Sequence, residues 1–546
     1  MADPPDENLA GMRVELLPGK KGVETARLVA EDGGCQYLHS RYDPLHEAES
    51  HVPERIEQET VVFLGSGLGY HIELTVAANP SVKRVVIVER YPELAAVAAE
   101  RIRDRGLLID TVTGEPTGGG AAALPLDLDA ARLQIVPHPP SLSINPAWYA
   151  HLHACFASIG RPRHEPVRKS SLTILVLFGG YYGQRECIRG FRELGHRVVI
   201  VEYLQGEAET LSAFHRALVT ERPDLVFSIN MRGLDSNGVI GQVLTRLGIP
   251  LALWFVDSPD FILNDTALPL TEIARLFLWD RSYLPHITAL GFQTFHLPLA
   301  ADATLKNHAV LTERFRAKLS FVGNSLVSDF LSRLATKFPQ TAANRVVLER
   351  AVTLLLENRG RQLELLEEVV ATEELDLPCQ EAELFFRAYA LHSATTRYRT
   401  TLLEQLIPLG LTFFGDPDGW RAIFGDRIRA LPDVNYFAET PAVYASSIVN
   451  FNATSLQMPR TVNQRLFDVP LCGGFLLTDR QEELFELFEE EELAVYEGVG
   501  DLAEKANFYL KRPHVREKIV RLARQRVLKS HTYRHRMGEL LALLGL

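Results

Sequence analysis

Two glycine-containing turns each follow an apolar run that predicts a buried strand. Glycine allows a ligand to approach the backbone closely, and the N-terminus of a helix beyond such a turn favours a phosphate. The turns therefore predict binding of a phosphorylated ligand, with a plain strand-to-helix connection as the alternative. The residues concerned are Gly179 and Gly180 in FGGYYGQ (178–184), and Gly323 and Asn324 in FVGNS (321–325).

Asp257 ends another apolar run, LALWFVD, and is followed by Ser-Pro-Asp. A carboxylate at the carboxyl end of a parallel strand faces the crevice in which open α/β sheets bind ligands. There it would act as a general base or orient an acceptor hydroxyl. An Asp before Ser-Pro is also a good helix N-cap, so local capping is the alternative role.

The apolar runs that must position these residues are mostly continuous rather than alternating. This pattern is typical of parallel strands covered on both faces by helices, and helical patterns lie between the runs. The predicted fold class is therefore α/β, with right-handed βαβ units. The predicted strand runs are 60–65, 84–89, 133–137, 172–178, 197–203, 224–229, 251–257, 274–280, 294–300, 319–324, 411–416, 446–452 and 473–479.

Three blocks are predicted along the 546 residues. The first, 1–165, is a smaller Rossmann-like accessory unit, and the second, 166–303, holds five or six strands with short helices. The third, 304–546, contains a helical region at 326–405 followed by a second βαβ series. Because the second and third blocks each carry a Gly-rich turn after an early strand, they would face each other across a ligand-binding cleft.

Composition excludes several classes of protein. The chain has 57 Lys and Arg against 69 Asp and Glu, a net charge of −12, whereas general nucleic-acid binding needs a basic face. No apolar run approaches the ~18 residues of a membrane span, and the acidic start does not resemble a signal peptide. The five cysteines are scattered without a CxxC pair, which indicates neither a zinc site nor a disulfide framework. These features predict a cytoplasmic protein.

Several separated segments carry a more specific pattern. WFVDSP (254–259), LWDRSYLPHITALGFQTFHLPLAAD (278–302) and LSFVGN (319–324) precede TSLQMPRTVNQRLFDVPLCGGFLLTDRQEELFEL (454–487) and AVYEGVGDLAEKANFYLKRPHVREKIVRLARQRVLKSHTYRHRMGELL (494–541). In this order they resemble CgeB-type, spore-maturation-like glycosyltransferases. The resemblance implies two Rossmann-like domains in the GT-B arrangement, and a final helix that crosses back onto the second block.

The same resemblance implies an activity. The enzyme would be a hexosyl- or related transferase that moves a sugar from a UDP-, GDP- or dTDP-sugar to an acceptor hydroxyl, with retention of anomeric configuration. The acceptor would be a protein such as flagellin, or a glycan. Transferases of this type stabilise the leaving group with protein groups instead of a cation. No metal is therefore predicted, although DPD (416–418) matches a DxD pattern.

The departing nucleoside diphosphate needs cationic or N–H groups. Arg465 is predicted to supply that charge, since its planar fork matches phosphate oxygens, and with Asp257 it forms the predicted catalytic pair. Asp468 stands where family members usually carry the Glu that holds donor hydroxyls. A surface position for Arg465, local pairing for Asp468, an Asx-type turn at 416 and plain turns elsewhere are the alternatives. The further predicted donor-binding residues are Gly415, Asp416, Asn452, Arg460, Asn463, Gly473 and Gly474.

A separate motif lies in the first block. FLGSGLGYHIELTVAANPSVKRVVIVERYPE (63–93) has the order strand, glycine turn, helix, strand, acidic residue, and it resembles the first motif of S-adenosylmethionine-dependent methyltransferases. Only one clear strand follows residue 110, which favours a Rossmann unit that docks an acceptor or a partner. The block also looks loosely like the N-terminal part of motility-associated flagellin-glycosylation proteins. The residues that would hold the cofactor are Gly65, Gly67, Gly69 and Glu89.

Three functions are compatible with these patterns. The first is the glycosyltransferase, and the second is a bifunctional protein whose first block is an active methyltransferase. Calorimetry with S-adenosylmethionine separates these two. The third is a non-catalytic nucleotide-binding assembly protein, against which Arg465 and the acid at 468 argue.

Overall fold

The computed structural model describes residues 12–30, 34–113, 133–158, 170–203, 206–235, 238–263, 270–327 and 330–546. The predicted boundary between the first two blocks, at residue 165, lies outside these residues. Every apolar run predicted as a strand overlaps one, which confirms the α/β class with parallel sheets.

The N-terminal part of the chain, here the accessory unit, carries two sheets. Strands β4–β7 form a parallel sheet in the order β6-β5-β4-β7, and β1–β3 form a small antiparallel sheet that the sequence did not predict. Its elements are β1 (Arg13–Pro18), β2 (Glu24–Val29), β3 (Cys35–Tyr37), α1 (Pro44–Glu49), β4 (Thr60–Leu64), α2 (Tyr70–Ala78), β5 (Arg84–Val88), α3 (Pro92–Ile102), β6 (Leu108–Val112), β7 (Leu133–Pro137), α4 (Pro139–Ile144) and α5 (Pro146–Ser158).

The next sheet, with its helices, forms the N lobe. All six strands are parallel, in the order β13-β12-β11-β10-β8-β9, and the central strands are buried along their whole length. Burial on both faces explains their continuous apolar runs. The elements are β8 (Thr173–Phe178), α6 (Gln184–Glu193), β9 (Arg197–Glu202), α7 (Glu207–Glu221), β10 (Leu225–Ile229), α8 (Val239–Leu247), β11 (Leu251–Phe255), β12 (Ala274–Leu278), α9 (Leu284–Ala289) and β13 (Gln293–His296).

The C lobe is built on a second six-stranded parallel sheet, in the order β16-β15-β14-β17-β18-β19. Its elements are β14 (Ala317–Val322), α10 (Phe330–Ala335), α11 (Ala342–Glu357), α12 (Gln362–Thr372), α13 (Gln380–Leu406), β15 (Leu411–Phe414), α14 (Pro417–Phe424), β16 (Arg429–Leu431), α15 (Thr440–Ser446), β17 (Ser447–Phe451), α16 (Arg465–Leu471), β18 (Leu476–Asp479), α17 (Leu484–Leu487), β19 (Val495–Tyr496), α18 (Val499–Leu510), α19 (Pro513–Ser530) and α20 (Tyr533–Leu543).

Helices α10–α13 form an inserted helical region between β14 and β15. The region has its own apolar core, which includes Val352, Phe386 and Leu391. The last turns of α13 leave this core, and Leu402 and Leu406 pack into the core of the C-lobe sheet. One long helix thus fixes the inserted region to the sheet.

The two lobes share one apolar core. It includes Trp254 of β11 together with Phe467 of α16, and α20 packs against α6 of the N lobe. Thr532, just before α20, forms a β-bridge with Ala301 after β13. The chain therefore ends on the N lobe and holds the two sheets close together.

Candidate active site

A pocket of about 370 Å³ lies at the carboxyl ends of the C-lobe strands. Tyr182, from the loop after β8, contributes the N-lobe side of its wall, so the pocket lies between the lobes. Its position fits the rule that open parallel sheets bind ligands at the carboxyl ends of their strands. The lining residues are Tyr182, Val322, Gly323, Asn324, Arg399, Phe414, Asp433, Val434, Tyr436, Thr440, Tyr444, Ser455, Gln457, Met458, Asn463, Gln464, Arg465 and Asp468.

Arg465 is the first residue of α16 and reaches back to the end of β14. Its Nη2 donates to the carbonyl oxygen of Val322 at 2.5 Å, and its Nη1 donates to Oδ1 of Asn452 at 2.8 Å. The guanidinium carbon lies 5.3 Å from the ring centroid of Phe321. These contacts hold a planar cation in one orientation at the pocket wall.

Asn452 is buried behind Arg465 instead of lining the pocket. Its Oδ1 also accepts a hydrogen bond from Asn463 Nδ2 at 2.7 Å, and its Nδ2 donates to Thr478 Oγ1 at 2.9 Å. Asn463, in contrast, lines the pocket. Asn452 therefore positions the predicted cation rather than contacting a ligand in this pocket.

Asp468 lies one helical turn after Arg465 and lines the same pocket. The Tyr436 hydroxyl donates to its Oδ2 at 2.7 Å, and Gln464 Nε2 donates to its Oδ1 at 3.2 Å. Burial, with the negative charge of nearby Glu186, raises the pKa of Asp468 to about 8. Near neutral pH the carboxyl group is therefore mostly protonated, able both to donate and to accept a hydrogen bond.

Arg399 is a pocket residue that the sequence analysis missed. It lies on α13 in the inserted helical region, and its Nε donates to the carbonyl oxygen of Ala453 at 3.4 Å. Burial, with the like charge of Arg465, lowers the pKa of Arg399 to about 10. The sequence around it, TTRYRTT, has no local motif, and only the packing of α13 brings it to the pocket.

Two predicted glycines are close to these side chains. A Cβ at Gly323 would lie 2.9 Å from Nη2 of Arg465, so a glycine admits the guanidinium there. At Gly415, where φ is +109°, a Cβ would lie 2.9 Å from Oδ1 of both Asn324 and Asp433. Gly323 and Asn324 line the pocket, whereas Gly415 supports its rim.

Two other predicted donor-binding residues of the C lobe make local contacts and do not line this pocket. Asp416 caps α14, accepting from the amides of Gly419 and Ser325, each at 3.1 Å, which is the turn alternative. Arg460 Nε lies 3.4 Å from a carboxylate oxygen of Glu482 on the surface.

The adjacent glycines after α16 lie in the turn that leads into β18. Gly473 has φ +77° in the turn before β18, and a Cβ at Gly474 would lie 2.6 Å from the Tyr444 carbonyl oxygen. The structure thus assigns these two glycines to a turn and to close packing, and neither lines the pocket.

Asp257 lies on the N lobe, just beyond β11. It accepts hydrogen bonds from the Tyr181 hydroxyl and from Asn230 Nδ2, the latter at 2.8 Å. Gly179 packs under the ring of Tyr203, and Gly180 has open space where a Cβ would be. These three predicted residues lie outside the lining of the pocket that holds Arg465 and Asp468.

The glycine turn of the accessory unit is filled by the chain's own atoms. A Cβ at any of its three predicted glycines would clash with a neighbouring residue, and the turn is packed against α4, β3–α1 and α3. The clashing pairs are Gly65 with Ser141, Gly67 with His39, and Gly69 with Ala98.

Glu89 is likewise engaged by its own chain. The buried carboxylate accepts from the amides of Ser66 and Gly67, at 2.8 and 3.2 Å, and from the Tyr149 hydroxyl at 2.8 Å. The Ser66 hydroxyl at 3.1 Å and the Tyr91 amide at 3.4 Å also donate to it, so both carboxylate oxygens have partners within the accessory unit. The glycine turn and Glu89 are thus held by groups of the chain itself, and S-adenosylmethionine binding stays a prediction that these contacts do not support.

The described residues also bear on other ligands and on membranes. They contain no group of three or more His, Cys, Asp or Glu side chains arranged to hold a metal ion. None of their helices is long and apolar enough to cross a membrane.

Part of the C lobe is similar to a known family of domains. Residues 397–542 fit the family model described as glycosyl transferase-like, and this segment contains Arg399, Arg465 and Asp468. No curated protein sequence matches the chain. This part of the C lobe is thus similar to glycosyl transferase-like domains.

Several solved structures are similar to about two thirds of the chain. A glycosyltransferase from Rickettsia africae is 9% identical with a TM-score of 0.41, covering 69% of this chain and 98% of its own. HepE from Anabaena in complex with UDP-glucose is 11% identical with a TM-score of 0.41, covering 68% and 99%. Sucrose-phosphate synthase from Thermosynechococcus elongatus is 11% identical with a TM-score of 0.40, covering 68% and 99%.

Proposed function

We propose that the protein is a CgeB-type glycosyltransferase of the GT-B fold, which transfers a sugar from a nucleotide-sugar to an acceptor hydroxyl. One observation carries the proposal. Arg465 and Asp468 project from consecutive turns of α16 into one interlobe pocket, within the segment that matches the glycosyl transferase-like model.

The geometry suits a nucleoside diphosphate. Arg465 is held by two hydrogen bonds at the pocket wall, where its charge would neutralise the departing phosphate oxygens. Asp468, mostly protonated near neutral pH, would hold a ribose or sugar hydroxyl of the donor. Asn463 and the backbone at Gly323 complete the donor side of the pocket.

The acceptor side of the proposal rests on the N lobe. Asp257, oriented by Tyr181 and Asn230, would orient or deprotonate the acceptor hydroxyl once the donor is bound. We further propose that transfer retains the anomeric configuration and needs no metal, and that the acceptor is a protein such as flagellin, or a glycan, in the cytoplasm. The accessory unit would dock that acceptor or a partner.

The first experiment identifies the donor nucleotide. Thermal-shift measurements with UDP, GDP and dTDP are expected to raise the melting temperature with one of them, because a ligand that binds only the folded state stabilises it by mass action. S-Adenosylhomocysteine serves as the comparison ligand and is expected to give no shift. An absence of any shift with all three nucleotides at millimolar concentration contradicts the proposal.

Arg465→Ala then tests the site. Loss of the cation is expected to lower kcat/KM for donor hydrolysis or transfer by about 10²–10³-fold, the usual cost of one oxyanion-stabilising donor. The matched control is Arg480→Ala, since Arg480 lies on the same lobe but pairs with Glu497 on the surface. Equal kcat/KM values for Arg465→Ala and the wild type would refute the assignment.

A further inference from the structure

The inserted helical region contacts the donor pocket through one face of α13. Thr395 Oγ1 accepts a hydrogen bond from the amide of Leu456 at 3.0 Å, in the loop after β17. Thr396 Oγ1 donates to the carbonyl oxygen of Ser325 at 3.3 Å, in the loop after β14. Arg399 follows Thr395 by one helical turn, so it is directed toward the space between these two loops.

The pocket therefore contains two guanidinium groups. Among the described residues, no carboxylate lies within ion-pair distance of either Arg399 or Arg465. The nearby carboxylate of Asp479 is engaged by Arg359 Nη2 at 2.7 Å and by Thr454. Burial, with the charge of Arg465, lowers the pKa of Arg399 only to about 10, so Arg399 stays charged at neutral pH.

Two like charges in one partly desolvated pocket raise each other's energy unless an anion lies between them. A ligand with two negative charges would remove that repulsion and accept hydrogen bonds from both planar forks. A diphosphate has this charge and the required oxygens, whereas a nucleoside or a neutral sugar does not.

We propose that Arg399 is a second cationic ligand of the donor diphosphate, so that the inserted helical region completes the active site. This inference rests on the proposed function and adds a residue to it. During transfer the bond between the anomeric carbon and the β-phosphate oxygen breaks, and its electron pair remains on that oxygen. The acceptor oxygen bonds to the anomeric carbon, and its proton passes to Asp257, to the released diphosphate or to solvent. Arg399 and Arg465 stabilise the added charge on the diphosphate.

Calorimetry with graded ligands tests the assignment. The probes are the nucleoside diphosphate that binds the wild type best among UDP, GDP and dTDP, its monophosphate, and its nucleoside. Arg399→Ala is expected to weaken diphosphate binding by about 10- to 100-fold, the size of one charge-assisted hydrogen bond. Nucleoside affinity is expected to stay unchanged. Arg399→Lys, which keeps the charge but not the fork, is expected to lie in between.

Arg397→Ala is the matched control, since Arg397 lies on the same helix but pairs on the surface with Glu349 at 2.8 Å. It is expected to bind all three ligands like the wild type. Arg399→Gln, which keeps most of the side-chain volume, replaces the alanine variant if that protein melts at a lower temperature than the wild type.

The outcomes are distinct. Equal diphosphate affinities for the wild type and the Arg399 variants overturn the inference while leaving the proposed function intact if Arg465→Ala still binds weakly. An equal loss of affinity for nucleoside and diphosphate indicates a merely structural role for Arg399 and also overturns it. If the wild type binds none of the diphosphates, the proposed function fails and the inference fails with it.

Discussion

At the level of single residues, the short helix α16 supplies two pocket side chains, one a cationic guanidinium and the other a carboxyl group. Arg465 begins the helix and hydrogen-bonds to groups at the ends of β14 and β17. Asp468 follows by one turn, where it is buried and bonded to Tyr436 and Gln464. Their separation of three residues places both on one face of the helix.

Asp468 gives the protein a characteristic pH dependence. The pKa of Asp468 in the folded state is about 8, whereas the usual value is about 4. Between about pH 4 and about pH 8 the unfolded state therefore releases a proton that the folded state retains. This group therefore lowers the free energy of unfolding as pH rises from about 4 to about 8. Asp468→Asn is expected to be more stable than the wild type by about 2 kcal/mol or more at pH 8, and by progressively less toward pH 4.

Urea denaturation of both proteins at several pH values measures this difference. Asp418→Asn is the control, because the Asp418 side chain is 94% exposed and its removal is expected to leave the pH profile unchanged. A constant stability difference between Asp468→Asn and the wild type across the pH range would contradict the raised pKa.

At the scale of elements, the pocket depends on the loop that joins β17 to α16, and this loop is held by the inserted helical region. Thr454 donates to the buried carboxylate of Asp479 through its amide and hydroxyl groups. Arg359 and Tyr398, from α11–α13, bond to the same carboxylate at 2.7 and 3.2 Å. The insertion thus fixes a loop whose first residue, Asn452, orients Arg465.

Arg359→Ala tests this connection. It leaves the Asp479 carboxylate buried with one charged partner fewer, and we expect a loss of stability of about 1–3 kcal/mol together with weaker nucleotide binding. Arg350→Ala on α11 is the matched control, since the Arg350 side chain is 63% exposed in its pair with Glu373 and a surface ion pair is worth about 0–1 kcal/mol. Chemical denaturation and calorimetry on the two variants check both effects. Equal stability of the two variants would show that the connection contributes little.

At the scale of the whole molecule, much of the architecture follows from local patterns, and the rest depends on packing. Continuous apolar runs predicted the central strands because strands such as β11 are buried along their whole length. β16 and β19 were missed because they have only three and two residues. Arg465 and Asp468 share a local motif, whereas Arg399 reaches the pocket only through the course of α13.

The contact between α20 and α6 helps to hold the two lobes together. Gly190 lies where the helices touch, and a Cβ there would be 2.9 Å from both Met537 Cγ and the Tyr533 carbonyl oxygen. Gly190→Val is therefore expected to separate the helices and cost about 1–3 kcal/mol by overpacking. The substitution should also weaken nucleotide binding. The pocket lies between the two lobes, and α20 joins the C-terminal end of the chain to the N lobe.

Gly538→Ala is the matched control from the other side of the same contact. A Cβ at Gly538 would be 3.8 Å from Leu194, an ordinary van der Waals distance, and alanine favours a helix over glycine by about 1 kcal/mol. Gly538→Ala is therefore expected to melt at or above the wild-type temperature, while Gly190→Val melts below it. Calorimetric melting of the two variants and the wild type measures this difference. If Gly190→Val is as stable as the wild type, the close approach of α6 and α20 contributes little to holding the lobes together.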